Sequence, residues 1–340
     1  MSTATATSTS APQRARRVTG LLALTAALVV LAALSVALGA RAMSMGEVWA
    51  GLADTASDAY PVVTELRLPR TALGLAAGAA LGLSGALMQA MTRNPLADPG
   101  LLGVNTGAAA AVVSAVHFLG LSTFGATLGF AWLGAAAAAV ACYLIAGAAA
   151  ATPARLALAG AAVTAAGLAY VSAIQILDTA TLEQMRFWSV GSLVNAHNVP
   201  LGIVVGLIAA AAAAGVLLSR PLNALALGDA SATGLGVDPR VLRIAGIAVI
   251  TVLAGTATAA CGPIVFVGLV VPHIVRAYTG PDQNWVLPYS ALGGAAFMLA
   301  ADVLGRVAAR PAELQVGIVC AVVGGPFFLY LINRRKVARL

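Results

Sequence analysis

The side chains that would carry acid–base, nucleophilic or metal chemistry are few in this chain of 340 residues: 12 acids, 3 histidines and 3 cysteines. The acids are Glu47, Asp54, Asp58, Glu65, Asp98, Asp178, Glu183, Asp229, Asp238, Asp282, Asp302 and Glu313, and almost all fall between long apolar runs or at their ends. A coupling ion needs a titratable or oxygen-rich group in the middle of such a run, so proton or sodium coupling is disfavoured. His117, His197 and His273 are far apart, none has an acid within a helical turn, and each reads as a structural hydrogen-bonder. Cys142, Cys261 and Cys320 lack metal-ligand spacing and read as small hydrophobes in packed helices. Of the 19 basic residues only Lys336 is a lysine, so no Gly-x-x-x-x-Gly-Lys-Ser/Thr phosphate loop exists. No catalytic residue and no metal ligand is assigned.

The remaining chemistry is cationic, and two connections carry it in a form more specific than a linker. In Leu66-Arg67-Leu68-Pro69-Arg70, two arginines three apart flank a proline at a helix start, which would present a rigid cationic patch at a membrane surface. Interfacial anchoring by snorkelling arginine is the alternative reading. The second connection, Leu225–Arg240, is longer than a helix hairpin requires. It predicts a short helix over Leu225–Leu235, broken by Gly234 and Gly236 and stopped by Pro239, and suited to docking a partner; an ordinary surface helix is the alternative.

The elements that must hold these connections are set by composition. Charged residues make up 9% of the chain, against roughly 25% in soluble domains. Hydrophobic residues make up 60% and the mean hydropathy is +0.94. The chain is therefore an all-α polytopic membrane protein. Residues 1–19 read as a short disordered basic tail. The run Gly20–Gly39 is a retained first helix, because its apolar core exceeds a signal-peptide core even though Ala40-Arg41-Ala42 resembles a cleavage site. Further spans fall near 68–91, 99–119, 128–150, 155–178, 199–218, 241–261, 264–279, 285–305 and 315–333, ten in all at about 20 residues each. With both termini in the cytoplasm, the outside segments hold Arg41, Arg67, Arg70, Arg186, Arg306 and Arg310, and the majority of the 19 basic residues lie inside, as the positive-inside rule requires. The basic residues form no soluble basic face for nucleic acid. Gly74, Gly78 and Gly82 recur every fourth residue as a ridge that lets helix backbones approach closely.

Several motifs together resemble the FecCD-type permease subunits of ATP-binding-cassette importers for ferric siderophores, haem and cobalamin. They are Arg67-Leu-Pro-Arg70; Gly78 to Gly85 with Gln89; Arg93-Asn-Pro-Leu-Ala-Asp-Pro99; Phe187-Trp-Ser-Val-Gly-Ser192; Leu227-Gly228 with Leu235-Gly236; and Gly262 through His273 to Arg276, followed by Gly280-Pro-Asp282, Asp302, Arg306 and Gly325-Pro-Phe327. Val265, Gln315 and the turn after Asp282 depart from the family pattern, without removing a group on which transport depends.

The resemblance implies a ten-helix permease domain over 20–340, paired with a second FecCD-type permease as a homo- or heterodimer in the cytoplasmic membrane. It also implies two cytoplasmic ATPase subunits, which use ATP and Mg while this chain binds no cofactor, and an extracytoplasmic substrate-binding protein. Arg67, Arg70 and Arg306 would dock that binding protein. Leu227, Gly228, Asp229, Leu235 and Gly236, within a coupling loop at about 222–240, would receive the ATPase. Thr152 and Arg155 correspond to the cytoplasmic gate region. The expected cargo is a ferric siderophore, with haem or cobalamin as alternatives in the same machine and an ion-coupled secondary transporter as a remote one.

Overall fold

The computed structural model describes residues 11–121, 123–147, 153–186 and 188–334. Among them there is no strand, and fourteen α-helices follow in order: α1 (Ala11–Ala37), α2 (Met45–Ala53), α3 (Leu68–Thr92), α4 (Val104–Leu119), α5 (Phe124–Ile145), α6 (Pro153–Leu177), α7 (Thr179–Met185), α8 (Leu201–Leu217), α9 (Ser219–Ala226), α10 (Asp229–Gly234), α11 (Pro239–Cys261), α12 (Val267–Thr279), α13 (Gln283–Ala308) and α14 (Val316–Arg334). A π-helical turn, Val62–Arg67, runs directly into α3.

The first helix begins earlier than expected. Residues 11–19 are its first turns rather than a disordered tail, while residues 1–10 lie outside the described residues. Pro12 is tolerated in a first helical turn. The arginines that follow are held, Arg16 over the Tyr278 ring at 4.8 Å and Arg17 over Trp285 at 5.9 Å. Between its ends α1 shows Leu22, Val29 and Val30 outward, as a helix facing hydrocarbon would.

The centre of the bundle is α3, most of whose residues are buried and which packs against α13, α11, α12 and α8. The glycine ridge explains how. A methyl group on Gly82 would stand 2.1 Å from the Ser290 carbonyl oxygen, one on Gly78 would stand 2.5 Å from that of Gly294, and one on Gly74 would press on Leu299. Gly85 continues the line and meets Gly268 of α12 in the same way. These glycines let α13 and α12 lie backbone to backbone against α3.

Six helical segments are long and apolar enough to cross a membrane: Gln13–Ala37, Val62–Thr92, Phe124–Ile145, Leu158–Leu177, Pro239–Cys261 and Gln283–Ala308. The pair α8 and α9, bent by 44°, supplies a seventh. Each of the ten expected segments coincides with a helix, but α4, α12 and α14 are shorter or less apolar than a full span. At 1.5 Å per residue the 13 residues of α12 reach only about 20 Å. The count of ten depends on those three helices.

Candidate functional site

Two polar assemblies sit at opposite ends of α3, roughly 37 Å apart by the helical rise of its 25 residues. At the N-terminal end of α3 they centre on arginine. The last turn of α1 leaves carbonyl groups without helical partners. Arg67 fills two of them, donating from Nη1 to Val36 O and Ala37 O at 2.8 Å each, and from Nη2 to Arg41 O at 2.8 Å. Arg306 donates from Nη1 to Ser35 O at 2.9 Å and Leu38 O at 2.7 Å, and Arg310 Nε reaches Gly39 O at 3.0 Å. Cations at a helix C-terminus also oppose its negative dipole end.

Behind this cap lies an ion-pair cluster. Asp302, fully buried, accepts from Arg70 at 2.8 Å and from Arg306 Nη2 at 2.8 Å, and Glu313 accepts from Arg70 Nη1 at 2.6 Å. Arg67, Arg70 and Arg306 are 5%, 8% and 2% exposed. The surface patch expected from Leu66–Arg70 is thus corrected: these guanidinium groups point into the bundle, where carbonyls and carboxylates bond them, apart from Arg306 Nε, which is buried without a partner among the described residues. Arg41 and Arg310, beside this cluster, are exposed. Sequence reasoning missed Asp302 as a partner, although Asp302 and Arg306 stand four apart, the spacing that places an acid and a base on one helix face.

At the C-terminal end of α3 lies the α9–α10 segment. The helix expected over Leu225–Leu235 is instead two helices that part at Leu227-Gly228, where Gly228 takes φ +103°, a conformation open to glycine. Pro239 does not stop a helix. It opens α11, whose first amides donate to the Asp238 carboxylate, from Arg240 N at 2.8 Å. Leu222 and Leu225 are buried and seat α9, and Asn223 ties it to the start of α13 by donating to Asp282 Oδ1 at 2.8 Å. Burial opposes ionisation of Asp282, yet the donors Asn223 and Asn284 hold its carboxyl below the ordinary range. Leu227 and Leu235 are 67% and 63% exposed, and Gly236 takes φ +80° beside open space. Asp229 is gripped from two sides, by Arg93 Nη2 at 3.1 Å and Arg243 Nη2 at 2.8 Å. All five residues of the expected coupling loop therefore share one short exposed segment.

Of the expected gate residues, Thr152 lies outside the described residues. Arg155 is exposed in the first turn of α6 and lines a surface hollow of about 410 Å³ with Ile145, Ala146, Gly147, Leu158, Ala159 and Ala162. Three polar contacts have no local signature in the sequence. His117 Nδ1 lies 2.9 Å from Asp178 Oδ2, joining the end of α4 to the α6–α7 turn. Gln89 Nε2 donates to Gly268 O at 3.1 Å, and Arg276 Nη1 donates to Gln89 Oε1 at 2.9 Å.

A bundle of apolar helices around a glycine-welded core, with an arginine-rich end and exposed leucines at the other, is the architecture of a helical membrane protein. The FecCD transport family model matches residues 27–334, and the chain belongs to that family of importer permease subunits. It is 43% identical over 330 residues to the ferric enterobactin transport system permease protein FepD of Escherichia coli, covering 95% of this chain and 96% of that one. It is 38% identical over 317 residues to the hemin transport system permease protein HmuU of Yersinia pestis, covering 92% and 94%. Among solved structures, a metal-chelate-type ABC transporter in an inward-facing conformation matches with a TM-score of 0.79 at 29% identity, over 93% of this chain and 98% of that one. Permease subunits of this family are not themselves enzymes; a separate ATPase drives them.

Proposed function

We propose that this chain is one of two permease subunits that carry a ferric siderophore across the cytoplasmic membrane by alternating access. The observation that carries the cargo is the likeness, over almost the whole length, to a ferric enterobactin permease. The chain crosses the membrane ten times with both termini in the cytoplasm, α4, α12 and α14 crossing as shorter helices.

Two ATPase subunits that use ATP and Mg dock below. The exposed Leu227 and Leu235 enter the ATPase cleft, and Gly228 and Gly236 give the turns that present them. Arg155 and Thr152 border the inner gate. A binding protein delivers cargo at the other end, where Arg41 and Arg310 meet its acidic residues, while Arg67, Arg70 and Arg306 hold that face in shape from beneath. ATP-driven closure then pushes the inner elements and tilts the bundle between inward and outward openings.

The test is uptake by a strain deleted for the gene, supplied in parallel with radio-iron siderophores, haem and labelled cobalamin. Loss of ferric siderophore uptake, restored by the wild-type gene, is expected. Loss of haem or cobalamin uptake alone would keep the importer and overturn the cargo.

A further inference from the structure

The residue that caps the C-terminus of α3 adopts a backbone conformation that its side chain makes costly. Arg93 has φ +51° and ψ +28° at the C-terminus of the helix, with its amide donating to Ala90 O and the next amide, of Asn94, donating to Gln89 O. That bonding closes a helix with one left-handed residue, a position that glycine fills most often because it has no Cβ. Among the described residues only Arg93 and Phe266 hold a positive φ without being glycine. A strained residue of this kind points to a use for its side chain.

The side chain of Arg93 reaches Asp229, the first residue of α10, with Nη2 3.1 Å from Oδ1. The same carboxylate takes Arg243 of α11, whose Nη2 lies 3.0 Å from Oδ1 and 2.8 Å from Oδ2. One acid thus joins the exposed segment to two of the most enclosed helices of the bundle. Both ion pairs are half-exposed, and pairs of that kind add little to stability. Their value lies in position: they tie α10 directly to the cap of α3 and to the first turns of α11.

We propose that Arg93 and Arg243 are positioning residues that clamp Asp229 and so convert a displacement of the α9–α10 segment into a displacement of α3 and α11. The proposal rests on the reading of that segment as the ATPase contact.

Arg93→Gly is the informative variant, because it relieves the left-handed backbone while deleting the guanidinium. Arg243→Gln removes the second jaw without touching α3. Each is assembled with the ATPase and binding protein in liposomes, and radio-iron ferric enterobactin carried per ATP hydrolysed is measured beside the thermal midpoint. Arg93→Gly is expected to keep its ATPase subunits and to melt no lower than wild type, while transport per ATP falls about fivefold or more, the range of a typical inter-site coupling. Arg93→Lys should keep part of the coupling. Wild-type transport per ATP in both Arg93→Gly and Arg243→Gln would overturn the clamp, as would loss of the ATPase subunit from both. If wild type itself carries no ferric enterobactin, the cargo reading fails. The clamp is then read from a nitroxide at the exposed Leu68, on the opposite end of α3: an ATP-dependent spectrum in wild type that persists in Arg93→Gly would overturn it.

Discussion

Arg70 and Asp302 are separated by 232 positions and meet in a buried pair, Nη2 to Oδ1 at 2.8 Å, that fastens the start of α3 to the far end of α13. Asp302 serves Arg306 as well, so its removal takes one shared carboxylate from two buried guanidinium groups, leaving Arg70 with Glu313 and Arg306 with the Ser35 and Leu38 carbonyls. Breaking a buried pair from one side costs about 3–5 kcal/mol. Asp302→Ala should therefore lower the thermal midpoint sharply in detergent and reduce the yield of folded protein. A midpoint unchanged from wild type would show that the cluster is not holding the bundle.

Exposed and buried arginines at this end should separate by phenotype. Arg41→Glu with Arg310→Glu should leave a folded protein whose ATP hydrolysis is less stimulated by the loaded binding protein, with the deficit greatest at low salt, because exposed charges steer docking and are screened over about 10 Å at 0.1 M. Arg67→Glu or Arg306→Glu should instead lose folded protein. Stable, normally assembled Arg306→Glu with weakened stimulation would return docking to the buried residues.

The glycine ridge gives a graded test. Gly82→Ala would set a methyl group 2.1 Å from the Ser290 carbonyl oxygen, and overpacking of a tight contact costs about 1–3 kcal/mol. Gly206→Ala, at a position in α8 with open space around it, should be neutral or slightly stabilising. Equal melting of the two variants would remove the close approach of α3 and α13.

At the other end, Leu227→Asp with Leu235→Asp should lose the ATPase subunit on purification while the permease stays folded, because both side chains already face outward. Retention of the ATPase together with normal uptake would take the contact elsewhere.

Asp178 supplies a pH prediction. Hydrogen bonds from Thr181 and then His117 hold its carboxyl at about 2, below the ordinary 3.8. A depressed carboxylate stabilises above the ordinary value and stops doing so as pH falls through the depressed one. In a His117→Gln background, which removes the imidazole titration, Thr181 still holds the carboxyl below its ordinary value, so the difference in thermal midpoint between Asp178 and Asp178→Asn should stay flat from about pH 8 to about pH 5 and close only below that. A difference that vanished near neutrality would contradict that environment.

The helical class and the place of nearly every helix were legible because apolar runs of membrane length are local features. The glycine ridge was legible for the same reason, since Gly74, Gly78 and Gly82 repeat within one helix. The arginines were not. Whether Arg67 faces water or protein is decided by Val36, Ala37 and Arg41, some thirty positions away, and for Arg70 by Asp302. A motif specifies a residue type at a position without specifying which way the chain folds over it. The break at Gly228 was missed for a smaller reason: Gly234 and Gly236 were equally plausible helix stops, and the choice depended on Leu222 and Leu225 seating α9 first. His117 and Asp178 show the same limit at a distance of 61 positions.

The glycine contacts also apportion motion. Where Gly78 and Gly82 lie on Gly294 and Ser290, no side chain stands between the two backbones to rotate or yield. A shift of α13 along α3 by part of a residue would drive carbonyl oxygens into α-carbons. These two helices behave as a single beam, stiff along its length, that can tilt only as one body. The rearrangement that opens one side of the membrane and shuts the other must then be taken up by looser helices such as α6, whose surface is left largely uncovered by the rest of the chain.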